Sequence, residues 1–259
     1  MRLTFLGTGT SMGIPMIACR CAVCQSNDPF NRRLRTSALL EVGDLTILID
    51  AGPDLREQAL RMGIARLDAV LLTHAHTDHI AGIDDLRPIN FAMKASIPLY
   101  GTAATLDGVR ERFAYAFRNG SEGSTRPALD LIEIADFVPF SIGALPILPL
   151  PVQHGTWQIS SFRIGRLGYV TDASAIDAPT REQLRDLDVL VLNALRHTPH
   201  PTHFTVAEAL TVIEDLRPQR ALLVHMGHEL DHTATNASLP AHVQLAYDGQ
   251  VVEIAAEAS

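Results

Sequence analysis

Short apolar runs rich in Val, Ile and Leu recur along the chain, and polar residues separate them at regular intervals. Runs of about four to eight such residues, bounded by turn residues, are typical of buried strands. Gly43 and Asp44 separate two of these runs and predict a hairpin. The pattern predicts strands at residues 2–6, 36–42, 45–49, 67–73, 131–134, 145–152, 158–164, 167–170, 189–193 and 221–224.

Helical segments are predicted between these strands. An Asp or Thr followed three residues later by Glu can form a capping box, and this pattern occurs at Asp54-Glu57 and at Thr205-Glu208. The first helix is predicted to end at Gly63, because glycine favours the left-handed conformation that closes a helix. The predicted helices cover residues 54–62, 84–94 with a kink or restart at Pro88, 105–117 and 205–216, and an exposed loop is predicted at residues 119–126.

Side chains that can bind metals follow several predicted strands at their C-terminal ends. His74, His76, Asp78 and His79 fall within six residues, directly after the strand at residues 67–73. Imidazole and carboxylate groups bind first-row divalent metals, and a loop at a strand end can turn several of them inward. Further residues in the same kind of position are His154, Asp172 and His225.

Strand–helix alternation predicts a layered α/β fold in which the strand ends converge at one edge. The five histidines and two aspartates named above can supply three donors to each of two metals, with one carboxylate bridging. A dinuclear centre lowers the pKa of a shared water enough to give a hydroxide nucleophile near neutral pH. Asp50 also follows a strand, where it can fix the tautomer of a ligand imidazole or serve as a simple turn residue.

The three cysteines, Cys19, Cys21 and Cys24, lie in one loop, predicted to cover residues 18–30. A disulfide between any two would close a very small ring and leave an odd thiol, so a thiolate metal site is the better prediction. A tetrahedral zinc needs a fourth ligand, and the local sequence offers none. The fourth ligand must therefore come from a distant segment.

The composition is that of an ordinary globular chain, with 259 residues, of which 47% are hydrophobic and 19% charged. We predict a single domain over residues 1–259. No apolar stretch approaches membrane-spanning length and the first residues lack a signal-peptide core, so a cytoplasmic location is expected. The net charge of −8 argues against binding of nucleic acid. It does not argue against an anionic small substrate, because bound dications reverse the local charge.

The glycine-rich segment at residues 7–13 is similar to a phosphate-binding loop, but no Lys-Ser/Thr pair follows and no helical pattern begins there. We therefore predict that its glycines let the backbone pass close to a neighbouring site. Ser11 in this segment, Arg163 and Arg166 are candidates for contact with a substrate.

Taken together, these motifs resemble the metallo-β-lactamase superfamily, and in particular its PhnP-like phosphodiesterases. The shared features are the His-x-His-x-Asp-His motif with the later ligands in the same order, a Gly-Thr-Gly opening, the Cys-x-Cys-x-x-Cys loop, and a last metal histidine followed three residues later by another histidine. The resemblance extends from residue 1 to about residue 232. It implies an αββα fold, in which two mixed β-sheets are sandwiched between helices.

The resemblance also implies a role for each candidate residue. His228 becomes the fourth ligand of a structural zinc, with His232 as the competing candidate. A general acid is placed just before the predicted helix at residues 205–216, at His203, with His200 as the alternative. The implied active-site ligands are His74, His76 and His154 for one metal, and Asp78 (also a catalytic residue), His79 and His225 for the other, with Asp172 bridging.

The function implied by the resemblance is a metal-dependent phosphodiesterase acting on a small cyclic phosphodiester, such as a phosphoribosyl 1,2-cyclic phosphate. Its cofactors would be two active-site ions, manganese or zinc, and one structural zinc, and a homodimer is also implied. Three other functions stay open: a ribonuclease Z-like tRNA-processing nuclease, a carbon-ester or lactone hydrolase, and a metal-stabilised binding protein. The acidic composition argues against the nuclease. PqqB-like proteins share the fold and a cysteine-rich loop, but the complete ligand set favours hydrolysis.

Overall fold

The computed structural model describes residues 1–118 and 125–255, which contain fourteen strands and eight α-helices. The strands are β1 (Arg2–Gly7), β2 (Ser37–Val42), β3 (Leu45–Ile49), β4 (Ala69–Leu71), β5 (Ile97–Gly101), β6 (Leu129–Glu133), β7 (Phe140–Ile142), β8 (Leu145–His154), β9 (Trp157–Ile164), β10 (Leu167–Val170), β11 (Val189–Asn193), β12 (Arg220–Val224), β13 (Val243–Leu245) and β14 (Val251–Glu253). The helices are α1 (Leu55–Met62), α2 (Thr77–Ile80), α3 (Arg87–Met93), α4 (Ala103–Arg112), α5 (Ala114–Phe117), α6 (Ala178–Gln183), α7 (Val206–Leu216) and α8 (His232–Asn236). Among the described helices, none has the length and apolarity that crossing a bilayer requires.

Two mixed sheets of seven strands each form the centre of the molecule, in the orders β14-β1-β2-β3-β4-β5-β6 and β13-β12-β11-β10-β9-β8-β7. In the first sheet, β3, β4, β5 and β6 run parallel to one another. In the second sheet the same holds for β10, β11, β12 and β13. The remaining pairs are antiparallel, so each sheet has one parallel side and one antiparallel side.

Three apolar cores hold these layers together. The central core lies between the sheets and includes Phe5, Phe162 and Tyr169. A second core lies between the first sheet and helices α1, α3 and α4, and a third between the second sheet and α7. Every residue of β11 is buried, because the strand is covered on both faces. The order of layers is therefore helix, sheet, sheet, helix, which confirms the predicted αββα architecture.

The strand ends that carry the predicted ligands meet at one edge of the molecule. His154 is the last residue of β8, and His225 follows β12 directly. Asp50, Asp172 and His225, each just beyond a strand, adopt positive φ angles of 61°, 59° and 55°. Non-glycine residues rarely adopt this left-handed conformation, and such outliers concentrate at functional sites, where the surrounding structure enforces them.

The glycine-rich segment passes close to neighbouring backbone at this edge, as its sequence predicts. A Cβ atom on Gly7 would lie 2.0 Å from the carbonyl oxygen of Arg35, so no other residue fits there. Beyond it, the backbone N–H of Thr10 donates to the carbonyl of Met226 over 3.0 Å. This bond joins the segment to the end of β12.

Several predicted elements are confirmed with small shifts, but one prediction is wrong. The hairpin of β2 and β3, the end of α1 at Gly63 and the capping box at Thr205 are all present. The capping box at Asp54 is not formed. Its carboxylate instead accepts hydrogen bonds from the backbone N–H (2.8 Å) and the guanidinium (2.9 Å) of Arg35. A charged partner distant in sequence has displaced the local cap.

The observed boundaries of the helices and strands differ from the predicted ones more than their types do. The helix predicted at residues 84–94 is a 3₁₀-helix, Ile83–Leu86, followed by α3, which carries Pro88 in its first turn. The helix predicted at residues 105–117 is interrupted at Phe113 to give α4 and α5. Only three residues of the strand predicted at residues 67–73 form β4. Of the loop predicted at residues 119–126, residues 119–124 lie outside the described part of the chain.

Candidate active site

The seven predicted active-site ligands converge where the strands end. Their donor atoms form two groups, and within each group all the atoms lie within 4.8 Å of one another. Five of the seven residues are buried, which is unusual for charged and imidazole groups unless they are paired or bind metal. The groups are His74 with His76 and His154, and Asp78 with His79, Asp172 and His225.

The imidazoles of the first group are oriented by each other and by backbone carbonyls. The Nε2 atom of His74 lies 2.9 Å from the Nδ1 atom of His76. The Nδ1–H group of His154 donates to the carbonyl oxygens of Asp172 (2.7 Å) and Thr202 (2.9 Å). Because Nδ1 of His154 carries the proton, its Nε2 atom presents a lone pair to the cluster.

The buried carboxylate of Asp50 orients one imidazole from each group. Its Oδ2 atom accepts from Nδ1–H of His79 (2.7 Å) and from the hydroxyl of Thr73 (2.8 Å). The Thr73 oxygen in turn lies 3.0 Å from Nδ1 of His74, from which it can accept. One carboxylate thus sets the tautomers of two histidines, leaving both Nε2 atoms free to bind a metal.

Asp172 lies between the two groups. Its Oδ2 atom is 3.2 Å from Nε2 of His225, 3.4 Å from Nε2 of His79 and 3.9 Å from Nε2 of His74. No other carboxylate oxygen in the described residues lies so close to imidazoles of both groups. Its position is the one required of a carboxylate that bridges two metals.

The charges of the site are strongly coupled. Burial opposes the protonated form of His79, yet the carboxylates of Asp172, Asp50 and Asp78 raise its pKa well above the usual value. Burial likewise opposes ionisation of Asp172, but His225 and His79 hold its pKa well below the usual value. Three carboxylates in a buried site call for compensating positive charge.

The donor set fits divalent metal ions. The Nε2 atom of His79 is buried and has no hydrogen-bond partner among the described residues, although it faces Asp78 and Asp172. Because Nδ1–H of His79 donates to Asp50, a neutral imidazole would direct its Nε2 lone pair at two carboxylates, and either a proton or a metal cation removes this repulsion. Imidazole nitrogens and carboxylate oxygens are ligands typical of zinc, manganese and iron.

The two groups open into a cleft of ≈ 360 Å³, and His203 lies in its wall. The Nε2 atom of His203 is 3.2 Å from Oδ2 of Asp172, and its ring stacks on that of His225 at 4.8 Å. Burial lowers the pKa of His203 to about 4, although Asp172 opposes this shift. The Nδ1 atom of His200 lies 3.2 Å from the Nδ1 atom of His203, and His200 does not line the cleft.

The three residues expected to contact a substrate differ in position. Ser11 lines the cleft. Arg163 donates instead to the carbonyl of Gln183 (2.5 Å), and Nε of Arg166 pairs with Asp188 (2.6 Å). Neither arginine lines the cleft, since Gln183 and Asp188 engage their guanidinium groups.

A separate cluster combines the three cysteines with a histidine from the other end of the chain. The Sγ atoms of Cys19, Cys21 and Cys24 lie 3.1, 3.5 and 3.8 Å from Nδ1 of His228. Ligands of one tetrahedral zinc, with bonds of about 2.1–2.3 Å, are separated by similar distances. The four donors therefore fit a zinc ion.

Backbone groups support the sulfur atoms of this cluster. The N–H of Met16 donates to Sγ of Cys24 (3.3 Å), and the N–H of Cys24 donates to Sγ of Cys21 (3.4 Å). The second bond is the main reason why the pKa of Cys21 falls to about 7, which favours the thiolate that a metal requires. The competing candidate, His232, packs against the ring of Phe30 at 4.9 Å, outside the cluster.

Comparison with known proteins places these clusters in a family. A family described as the beta-lactamase superfamily domain matches residues 46–226. The fold is also similar to the crystal structure of a diphosphatase from the PhnP family, with a TM-score of 0.91, 42% identity, and 97% of each chain covered. The chain belongs to the PhnP family of the metallo-β-lactamase superfamily. This membership and the two groups of candidate metal ligands support the metallo-hydrolase that the sequence predicts.

Two curated relatives of this chain bear other names. An octanoyltransferase of Porphyromonas gingivalis is 39% identical over 253 residues, which are 96% of this chain but 51% of the relative. The chain thus spans about half the length of that relative. A ribonuclease Z of Mycolicibacterium gilvum is 28% identical over 215 residues, covering 76% of this chain and 68% of the relative.

Several residues of the site were not expected from the sequence, and Thr73 and Trp157 are two of them. The hydroxyl of Thr73 lies between Asp50 and His74 and hydrogen-bonds to both. Its only sequence signal is its position directly before the first ligand histidine. Trp157 packs on His76, with ring centroids 4.6 Å apart. It follows His154 after a two-residue turn, but no motif includes it.

Proposed function

We propose that this metallo-hydrolase is a phosphodiesterase that cleaves a small, cyclic phosphodiester, with a phosphoribosyl 1,2-cyclic phosphate as one example of the class. The position of Asp172 between two donor groups at an open cleft is the observation that carries the proposal. A purely structural metal site has a closed set of ligands, whereas this one faces solvent-accessible space. The similarity to a PhnP-family diphosphatase supports hydrolysis at phosphorus.

We infer that each donor group holds one divalent cation, manganese or zinc, and that Asp172 contributes to both. When bound, such a pair supplies Lewis-acid stabilisation of phosphate charge and a water that ionises near neutral pH. Asp50 keeps the imidazoles of His79 and His74 in the tautomers that binding needs. We assign a structural zinc to the cysteine cluster with His228.

His203 is the proposed general acid. Its Nε2 atom lies in the cleft wall beside Asp172, where it can donate a proton to the departing alkoxide oxygen. The negative charge of a bound phosphodiester favours the imidazolium form and so opposes the effect of burial. Thr202 Oγ1, 2.8 Å from Nδ1 of His203, fixes the ring orientation.

Hydrolysis assays with added Mn²⁺ test the proposal. Three substrates are compared: bis(p-nitrophenyl) phosphate, 2′,3′-cyclic AMP and a precursor tRNA. We expect turnover of both small diesters and none of the tRNA. The His203→Ala variant should keep its metal content but lose about a hundredfold in rate on 2′,3′-cyclic AMP, whose alkoxide is a poor leaving group. It should lose far less on bis(p-nitrophenyl) phosphate, because nitrophenolate leaves without protonation.

A ribonuclease Z-like activity is the second candidate, and the similarity to the ribonuclease Z of M. gilvum is the observation that favours it. The net charge of −8 opposes it, because tRNA affinity depends on clustered basic residues. Cleavage of the precursor tRNA with no turnover of the small diesters would establish the nuclease. Failure of the metal-loaded protein on all three substrates would refute the phosphodiesterase proposal and favour a binding protein or a carbon-ester hydrolase.

A further inference from the structure

The single tryptophan of the chain lies at the rim of the candidate active site. Trp157 begins β9, directly after the tight turn that follows His154 at the end of β8. Its side chain is 50% exposed, and it belongs to none of the apolar cores. A large aromatic ring left half in water beside a catalytic cleft is a candidate for ligand contact.

One face of the Trp157 ring is already covered. The indole packs on the imidazole of His76 with centroids 4.6 Å apart and planes inclined by 35°. His76 itself lines the cleft, and its ring also contacts that of His154 at 5.0 Å. Among the described residues, His76 is the only aromatic or imidazole ring in contact with Trp157. The exposed half of the side chain is therefore available to a flat ligand.

We propose that Trp157 is a stacking platform for the nucleobase of a nucleoside-containing phosphodiester bound in the cleft. The inference rests on the proposed phosphodiesterase function and narrows its substrate class from any small diester to one that carries an aromatic base. Stacking on an indole contributes substantially to the binding of single nucleotides and tolerates any base, because every base has a π-face. The ≈ 360 Å³ cleft has room for the sugar and phosphate of one nucleotide, with the base outside against the indole.

A purely structural role makes a different prediction. If Trp157 only supported the imidazole of His76, its removal would disturb metal binding and slow the hydrolysis of every diester to the same extent. A stacking platform acts only on substrates with a base. The ratio of two specificity constants, one with and one without a base, therefore separates the two roles.

The first experiment measures kcat/KM of the metal-loaded protein for 2′,3′-cyclic AMP and for glycerol 1,2-cyclic phosphate, which has the same five-membered cyclic diester but no base. We expect Trp157→Ala to lower the ratio of the two constants about tenfold or more, mainly through KM for the nucleotide. Trp157→Phe should retain most of the ratio. Phe91→Ala, at an exposed aromatic residue of α3, is the matched control and should leave the ratio unchanged.

The second experiment uses tryptophan fluorescence, to which Trp157 alone contributes. Adenosine 3′-monophosphate should quench the emission of the metal-loaded protein in a saturable way, and glycerol phosphate should not. Equal losses on both substrates in Trp157→Ala, or no saturable quenching by the nucleotide, would overturn the stacking proposal even if both diesters are hydrolysed. Absence of any hydrolysis would refute the phosphodiesterase proposal instead, and the fluorescence titration would still decide whether Trp157 binds a base.

Discussion

The two metal-binding clusters of this chain differ in what holds their ligands in place. Active-site ligands come from the ends of strands in two sheets, and buried groups such as Asp50 fix their orientation. The cysteine cluster takes three of its four ligands from one loop, whose apolar support is a small cluster of Ile14, Val23 and Cys24. In the first case the fold holds the ligands, whereas in the second the proposed zinc would hold the loop.

This difference has a consequence for metal removal. The active site should keep its geometry without metals, because the strand ends are fixed by three extensive cores. The loop should not, because a few apolar contacts cannot balance the conformational entropy lost when the whole loop is ordered. Substitutions that disrupt one cluster at a time should therefore separate the two cases.

The largest effect is expected for Asp172→Ala. Loss of the carboxylate that faces both donor groups should prevent the active site from binding two metal ions together. Phosphodiesterase activity should fall by about a thousandfold or more. Elemental analysis should find the zinc of the cysteine cluster still bound, and circular dichroism should be unchanged. Asp215→Ala is the matched control, because Asp215 is a surface aspartate paired with Arg181. An active Asp172→Ala variant would contradict the bridging role.

Asp50→Asn should weaken active-site metal binding by about 10–100-fold without affecting the cysteine cluster. The amide can accept fewer hydrogen bonds than the carboxylate that now serves Thr73 and His79. Asparagine tolerates the left-handed backbone at this position, where φ is 61°, so the substitution isolates the side-chain effect. Competition with a fluorescent chelator measures the affinity. Unchanged affinity would mean that the buried carboxylate does not tune the ligands.

Cys24→Ser should free the loop while leaving the sheets folded. We expect loss of the zinc and about tenfold faster trypsin cleavage after Arg20, which is exposed in this loop. The rate is measured from the time course of the cleaved fragment. Asp172→Ala should not accelerate this cut, because Asp172 does not belong to the cysteine cluster. Equal protection in both variants would show that the loop does not depend on metal.

The smallest effect concerns Asp248, which anchors the chain that leaves the cysteine loop. Its carboxylate accepts from the hydroxyl of Thr8 (2.8 Å) and the N–H of Leu34 (2.7 Å), and burial raises its pKa to about 6. Because its pKa is higher in the folded than in the unfolded protein, the folded state binds more protons between about pH 4 and 6. Stability should therefore fall across this range by about 2 kcal/mol as pH rises.

Metal-free wild type and Asp248→Asn, unfolded in urea at several pH values, test this effect. The amide can donate to Thr8 and accept from Leu34, so the variant should fold and lack this part of the pH dependence. Identical pH profiles for the two proteins would show that Asp248 does not titrate in the predicted range.

The sequence predicted the layers and the convergence of ligands because both follow from local patterns. Buried strands such as β11 are continuous apolar runs, and the ligands follow them directly. Contacts between distant residues could not be predicted in this way. Asp54 occurs in the sequence pattern of a capping box. Its carboxylate nevertheless accepts a hydrogen bond from Arg35, 19 residues away, and does not cap the helix. Trp157 carries no motif, and only the packing of the β8–β9 turn against His76 brings it to the site.

The short strands show a second limit. β7, β13 and β14 each have three residues, too few to give a recognisable alternation of polar and apolar positions. They form because the longer strands beside them offer unpaired backbone N–H and C=O groups. Those groups become available only when the sheet has assembled.

Anomalous X-ray diffraction from crystals grown with Mn²⁺ tests the central claim most directly. Data collected at the manganese and zinc edges would locate each ion independently of any activity. We predict two peaks about 3.5–4 Å apart on either side of Asp172 Oδ2, one within reach of His74, His76 and His154 and the other within reach of the second group, and a third peak among the cysteines. A single peak, or none, between the strand ends would contradict the dinuclear centre on which the proposed hydrolysis depends.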